Sequence, residues 1–282
     1  MSRATGRAAR LVGAAAALAA LAGLAGCAHA LKEPPALADV LGGARGHGPD
    51  EVDALLAKGD TLFAQRTPAS ARGGLEAFTA AAAADPARRE GLVKAIAVWV
   101  WLTDHESEGP ARAEAAARAV QAAQWCGRRW PDAAECDYWL GASLGVQARE
   151  RPSTGLSALP AIEAAFKKAA ERAPLLEEAG PERALALLYL RAPGWPTGPG
   201  DPDLGLQHAR RAAELKPDYP PNQMVLGEAL AEHGDTAAGR EAYLRARTLA
   251  QAIHGPREAE AREWIEEATA ALGPSGGVAP PH

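Results

Sequence analysis

The sequence predicts an all-α fold: an α-solenoid of about five helical hairpins closed by a C-terminal capping helix. Three observations carry that prediction. The composition leans to alanine, with 5% aromatic residues and two Met, which suits helices packed through small side chains better than sheets. Helix-stopping prolines recur at Pro86, Pro131, Pro174 and Pro217, spaced by 45, 43 and 43 residues, a regularity that marks the ends of repeated units. Finally, residues 220–251 read as two short amphipathic helices joined at Gly234-Asp235. The first carries Leu226, Gly227 and Leu230, the second Gly239, Tyr243 and Ala246.

Those spacings resemble the second half of the tetratricopeptide-repeat (TPR) pattern. Small residues at Gly227, Gly239 and Ala246 let two antiparallel helices approach, and large ones fill the groove between them. One such hairpin cannot bury both of its faces, so stacked neighbours are required.

Taken in order, the repeats begin at Asp50. Residues 51–65 place Val52, Leu55, Leu56, Leu62 and Phe63 at helical period. Residues 67–70 read as a break, and residues 74–84 supply the partner helix with Phe78 and Ala81. Further pairs follow at 89–102 with 111–126, 134–149 with 159–172, and 181–190 with 204–215. In the third hairpin, Leu140, Gly141 and Leu144 match the first helix, and Ile162, Phe166 and Ala169 match the second. Residues 256–272 form the capping helix, with Arg257, Glu258, Glu263 and Glu266 expected to face solvent. The three middle repeats exceed the usual 34 residues by about ten. That surplus is assigned to loops at 103–110, 150–158 and 192–203, which would emerge on one edge as a continuous rim. In the last of these, Trp195 is read either as a contact residue or as the plug of a rigid connector.

The first 26 residues stand apart. Arg3, Arg7 and Arg10 precede a short apolar run at 11–25, which is too short to span a bilayer comfortably and reads as a signal peptide. Leu24-Ala25-Gly26-Cys27 resembles a bacterial lipobox, which implies lipidation at Cys27. Ala28 follows in place of the Asp that retains such lipoproteins at the inner membrane, which favours the outer membrane. Removal of residues 1–26 takes the net charge from −5 to −8, so lipid, not surface charge, must hold the protein to an anionic bilayer. Residues 27–49, with Pro34-Pro35 and a Gly-rich stretch, are expected to form a flexible tether. Residues 50–272 form the repeat domain, and 273–282 a disordered tail. Cys126 and Cys136 flank the junction of two repeats, either as a disulfide or as two buried thiols.

Catalytic signatures do not emerge. His105-Glu106 lacks the second His of a zinc-protease motif, no Cys-x-x-Cys occurs, and the Gly/Pro stretch at 194–200 lacks a phosphate-loop Lys. The chain therefore reads as a non-enzyme without cofactor or metal. No basic stripe appears beyond the first ten residues, which argues against nucleic acid as a partner. What remains is a binding surface. With the register set by Gly59, Gly141 and Gly227, the concave face would carry Asp60, Phe63, Trp101, Tyr138, Met224 and Glu228. For each of these, packing between repeats is the alternative role.

A lipobox ahead of an irregular TPR array resembles the T-component lipoproteins of TRAP transporters. The supporting segments are Asp137-Tyr138-Trp139-Leu140-Gly141, Gly180-Pro181-Glu182-Arg183-Ala184-Leu185, Arg191-Ala192-Pro193-Gly194-Trp195-Pro196, Gly200-Asp201 and Pro217-Asp218-Tyr219. They fall within residues 50–234. The resemblance implies a periplasmic subunit, a homo-oligomer with a central pore, that hands a small organic ligand to a solute-binding partner. The repeat fold by itself implies an adaptor for envelope proteins or peptides.

Overall fold

The computed structural model describes residues 34–46 and 48–273. The segment expected to be a signal peptide, the expected lipidation site Cys27 and the tail beyond Gly273 lie outside the described residues. The described chain holds twelve α-helices and no strand. A short helix, α1 (Leu37–Val40), precedes five hairpins: α2 (Val52–Phe63) with α3 (Pro68–Ala84), α4 (Glu90–His105) with α5 (Gly109–Arg129), α6 (Ala134–Glu150) with α7 (Pro152–Arg172), α8 (Gly180–Arg191) with α9 (Pro202–Leu215), and α10 (Pro220–Glu232) with α11 (Thr236–Gln251). The last helix, α12 (Glu258–Leu272), packs on α11. From α2 onward each helix packs on the next, α1 lies against α5, and the first helices of successive hairpins also touch one another, forming the inner row of an α-solenoid.

Small-to-large pairing explains why the hairpins close. A Cβ on Gly59 would collide with the ring of Phe78, and one on Gly141 with the ring of Phe166. At Gly227 the added carbon would sit 2.8 Å from Tyr243. The same pairing recurs in the first, third and fifth hairpins because it sets the interhelical distance there. Apolar burial runs along the array: one cluster joins Phe78, Ile96, Trp99 and Cys136, and another joins Met224, Tyr243 and Trp264.

Three features differ from the sequence reading. Residues 67–70 start a helix instead of breaking one. Pro68 occupies its first turn, and Thr67 and Ser70 form a reciprocal capping box, with Ser70 N donating to Thr67 Oγ1 at 3.1 Å. Nor is the surplus of the middle repeats three loops. α5 and α7 are each 21 residues long, and the chain between α6 and α7 is the single residue Arg151. Pro110 and Pro152 sit in first turns, where a missing N–H costs nothing, and Pro160 is carried inside α7. Of the expected rim, only the loop from Ala192 to Asp201 is long.

The third difference lies at the N-terminus. Residues 34–46, read as part of a tether, pack against the array. Val40 and Leu41 are buried, Trp125 Nε1 donates to the Pro35 carbonyl at 2.7 Å, and Arg118 Nη1 donates to the Asp39 carbonyl at 2.5 Å. Cys126 and Cys136 are joined by a disulfide that ties the end of α5 to the start of α6.

Candidate functional site: a closed inner groove and an open edge hollow

The inner row positions the residues expected to line a concave face. Asp60 is exposed and accepts from Lys94 Nζ of the next repeat at 2.7 Å. Phe63 is half-buried and meets Trp101 edge to face, with ring centroids 5.7 Å apart, while the Arg66 guanidinium lies 4.3 Å over the Phe63 ring. Trp101 stacks on His105 at 3.7 Å, and its Nε1 is buried without a hydrogen bond of normal geometry. Tyr138 and Met224 are buried. Burial pushes the Tyr138 hydroxyl pKa up, against the opposing pull of Arg183. Glu228 is buried and held bidentately by Arg191, with Nε at 2.8 Å and Nη2 at 2.7 Å.

α12 packs over part of this row. One face of that helix carries Ala261, Trp264, Ala268 and Leu272 into the cluster around Met224 and Tyr243. Trp264 also meets Tyr219 edge to face at 5.2 Å, and the Arg257 guanidinium caps both rings. An adjoining face carries Glu260, Glu263 and Glu267 across the groove. Arg66 Nη2 donates to Glu260 Oε1 at 2.6 Å, joining residues 194 apart in sequence, with both side chains more than four-fifths buried. Glu263 Oε1 lies 3.9 Å from His105 Nε2. Desolvation raises the pKa of Glu263, with His105 and Arg66 pulling it down. Desolvation likewise raises Glu267, against Arg191. The last helix thus reaches the first two hairpins and closes the groove.

This corrects the expectation that Glu263 faces solvent: it is half-buried and faces the inner row. Arg257, Glu258 and Glu266 are exposed as expected. The curvature that brings α12 back to α2 sums small rotations over all the repeats, and no local periodicity displays it. The residues missed in sequence (Arg66, His105, Glu260 and Glu267) carried one usable signal. Glu260, Glu263 and Glu267 lie three and four residues apart, on a single helical face.

The described surface opens elsewhere. α6, α7 and α8 enclose a hollow of about 520 Å³ whose walls include Val146, Leu156, Leu159, Ile162, Phe166 and Leu187. Beside it runs the loop from Ala192 to Asp201, pinned by Gly200 N to the Pro193 carbonyl (2.9 Å) and Asp201 N to the Tyr189 carbonyl (2.9 Å). Trp195, at the tip of that loop, is 89% exposed, so it plugs no gap. Among the described residues, no group of three or more His, Cys, Asp or Glu is placed to hold a metal ion. No described helix is long and apolar enough to cross a membrane.

The architecture is that of a TPR-like helical-repeat fold. The crystal structure of a thermophilic TPR protein from Thermus thermophilus superposes with a TM-score of 0.59 at 18% identity, over 78% of this chain and 99% of that one. No family model matches the sequence, and no curated protein matches it.

Proposed function

We propose that the protein is a non-catalytic, protein-binding adaptor anchored by lipid at Cys27 on the periplasmic side of a bacterial envelope membrane, the outer one by the residue after Cys27. The observation that carries the adaptor reading is Trp195. It is an 89% exposed Trp on a hydrogen-bonded loop of a repeat scaffold. Trp is enriched among residues that dominate protein interfaces, and a rigid presentation lowers the entropy lost on binding. The contact surface of the proposed adaptor is therefore the outer edge around Trp195, because α12 occupies the inner groove. The Cys126–Cys136 disulfide supports an oxidising compartment. A photo-crosslinking residue at position 195 in intact cells should capture a discrete envelope protein. Capture no greater than from an exposed site such as Glu266 would refute the assignment. Cys27→Ala should release the protein from membranes; retention would rule out the anchor.

A second reading, a ligand-handling accessory of a TRAP-type transport system, is favoured by the apolar hollow beside the same loop. Co-purification with a periplasmic solute-binding protein under native conditions tests it, and its absence from every envelope complex recovered would count against it.

A further inference from the structure

The hollow between α6, α7 and α8 has a chemistry that names its occupant. Its volume, about 520 Å³, falls within the range of small-molecule sites. The wall is aliphatic and aromatic, and among the described residues that line it there is no Asp or Glu; the charged ones are Arg149 and Arg191.

Both guanidinium groups already have a partner. Arg149 Nη2 donates to Asp104 at 2.5 Å, and Arg191 donates Nε and Nη2 to Glu228. Each guanidinium carries five N–H donors, so these bonds leave others for a ligand. The side chains are 59% and 55% exposed, which keeps those donors accessible. The floor is also permissive. Gly145 lines the hollow, and a Cβ added there would meet nothing within 4 Å. Leu156, on another wall, is 54% exposed.

We infer that this hollow binds an amphipathic anion: an aliphatic chain seated among Leu156, Leu159, Ile162 and Phe166, with a carboxylate or phosphate head held by Arg149 and Arg191. Apolar burial supplies the affinity and the arginines set the polarity of the head, since charge-assisted donors discriminate strongly against a neutral isostere. The proposal deepens the ligand-handling reading by naming its ligand class. Because binding is read on the isolated chain, its failure is distinguishable from failure of the transport reading, which is judged by partner association.

The test is isothermal titration of the full chain carrying Cys27→Ala, prepared without detergent, with dodecanoate, dodecyl phosphate and dodecanol. At least one of the two anions should bind at one site per chain, about tenfold or more tighter than the alcohol. The comparison between them reports which head group is preferred. Arg149→Gln should weaken the anion about tenfold and leave dodecanol unchanged. Gly145→Leu fills the floor and should abolish binding of all three. It also replaces a helical Gly by a better helix former, so its melting temperature should stay level or rise. Equal affinity for alcohol and anions would overturn the proposal. So would persistence of binding in a folded Gly145→Leu variant, or no binding of either anion while an apolar, acidic peptide occupies the hollow.

Discussion

The inner groove and the edge hollow are built by the same repeat geometry yet reach opposite states. In the groove, Trp101, Tyr138, Met224 and Glu228 are buried, and Glu260 and Glu263 of α12 face Arg66 and His105. At the edge, Leu156 and Trp195 stand exposed around an apolar hollow with two arginines on its wall. The first surface is satisfied by the chain itself, and the second is not. In a short solenoid, the concave face is therefore not automatically the place for a partner. Coiling tight enough to bring the capping helix back to the first hairpin moves the free surface outward, to where one inter-helix loop is long.

Four perturbations bear on that contrast, from the largest effect to the smallest. Trp264→Ala removes the aromatic anchor of α12 and should cost about 3 kcal/mol in urea unfolding. Hydrogen exchange in α12 should rise with it, while the edge hollow stays intact. Arg66→Glu sets like charges against each other across the groove. It should cost about 2 kcal/mol, less than the loss at a fully buried pair, and should expose Trp101 to acrylamide quenching.

Glu263→Gln is subtler and depends on pH. Burial holds the Glu263 carboxyl above its usual range, so the folded state binds this proton more tightly than the unfolded chain. That contribution to stability is full below the unfolded value of about 4.3 and is lost as pH rises through the folded one. The variant should thus be more stable than wild type at pH 7, by less than about 1 kcal/mol, and equal to it at about pH 4. Thermal melts at the two pH values decide this, and a deficit at pH 7 would show that the His105 and Arg66 contacts outweigh burial. Trp195→Ala should leave the urea midpoint within about 0.5 kcal/mol of wild type, because an exposed side chain packs on little. Its effect should appear in partner capture alone.

What could be read in advance follows from locality. The pairings Gly59–Phe78, Gly141–Phe166 and Gly227–Tyr243 each lie within one hairpin, so spacing along the chain revealed them and with them the solenoid. Prolines misled where they serve two purposes. Pro68, Pro110 and Pro152 resemble breakers in sequence but begin helices, which turned long helices into expected loops. The register assigned Asp60, Phe63, Trp101, Tyr138, Met224 and Glu228 to a concave face, and most of these side chains are buried or half-buried in packing. It could not reveal that α12 returns to the first hairpin, since the Arg66–Glu260 contact spans 194 residues. Trp195 was singled out by the stiffness of its loop. The hollow beside it escaped notice because its wall draws on three helices, each with an ordinary apolar face.

The claim on which the account turns is that the solenoid's last helix closes onto its first hairpin. A double-mutant cycle of Arg66→Gln and Glu260→Gln, measured by urea unfolding, isolates that contact from either residue's other roles. Closure predicts a coupling energy of about 1 kcal/mol or more between these two side chains. A coupling indistinguishable from zero would mean that the groove stands open in solution and that the inner face, not the edge, is the free surface.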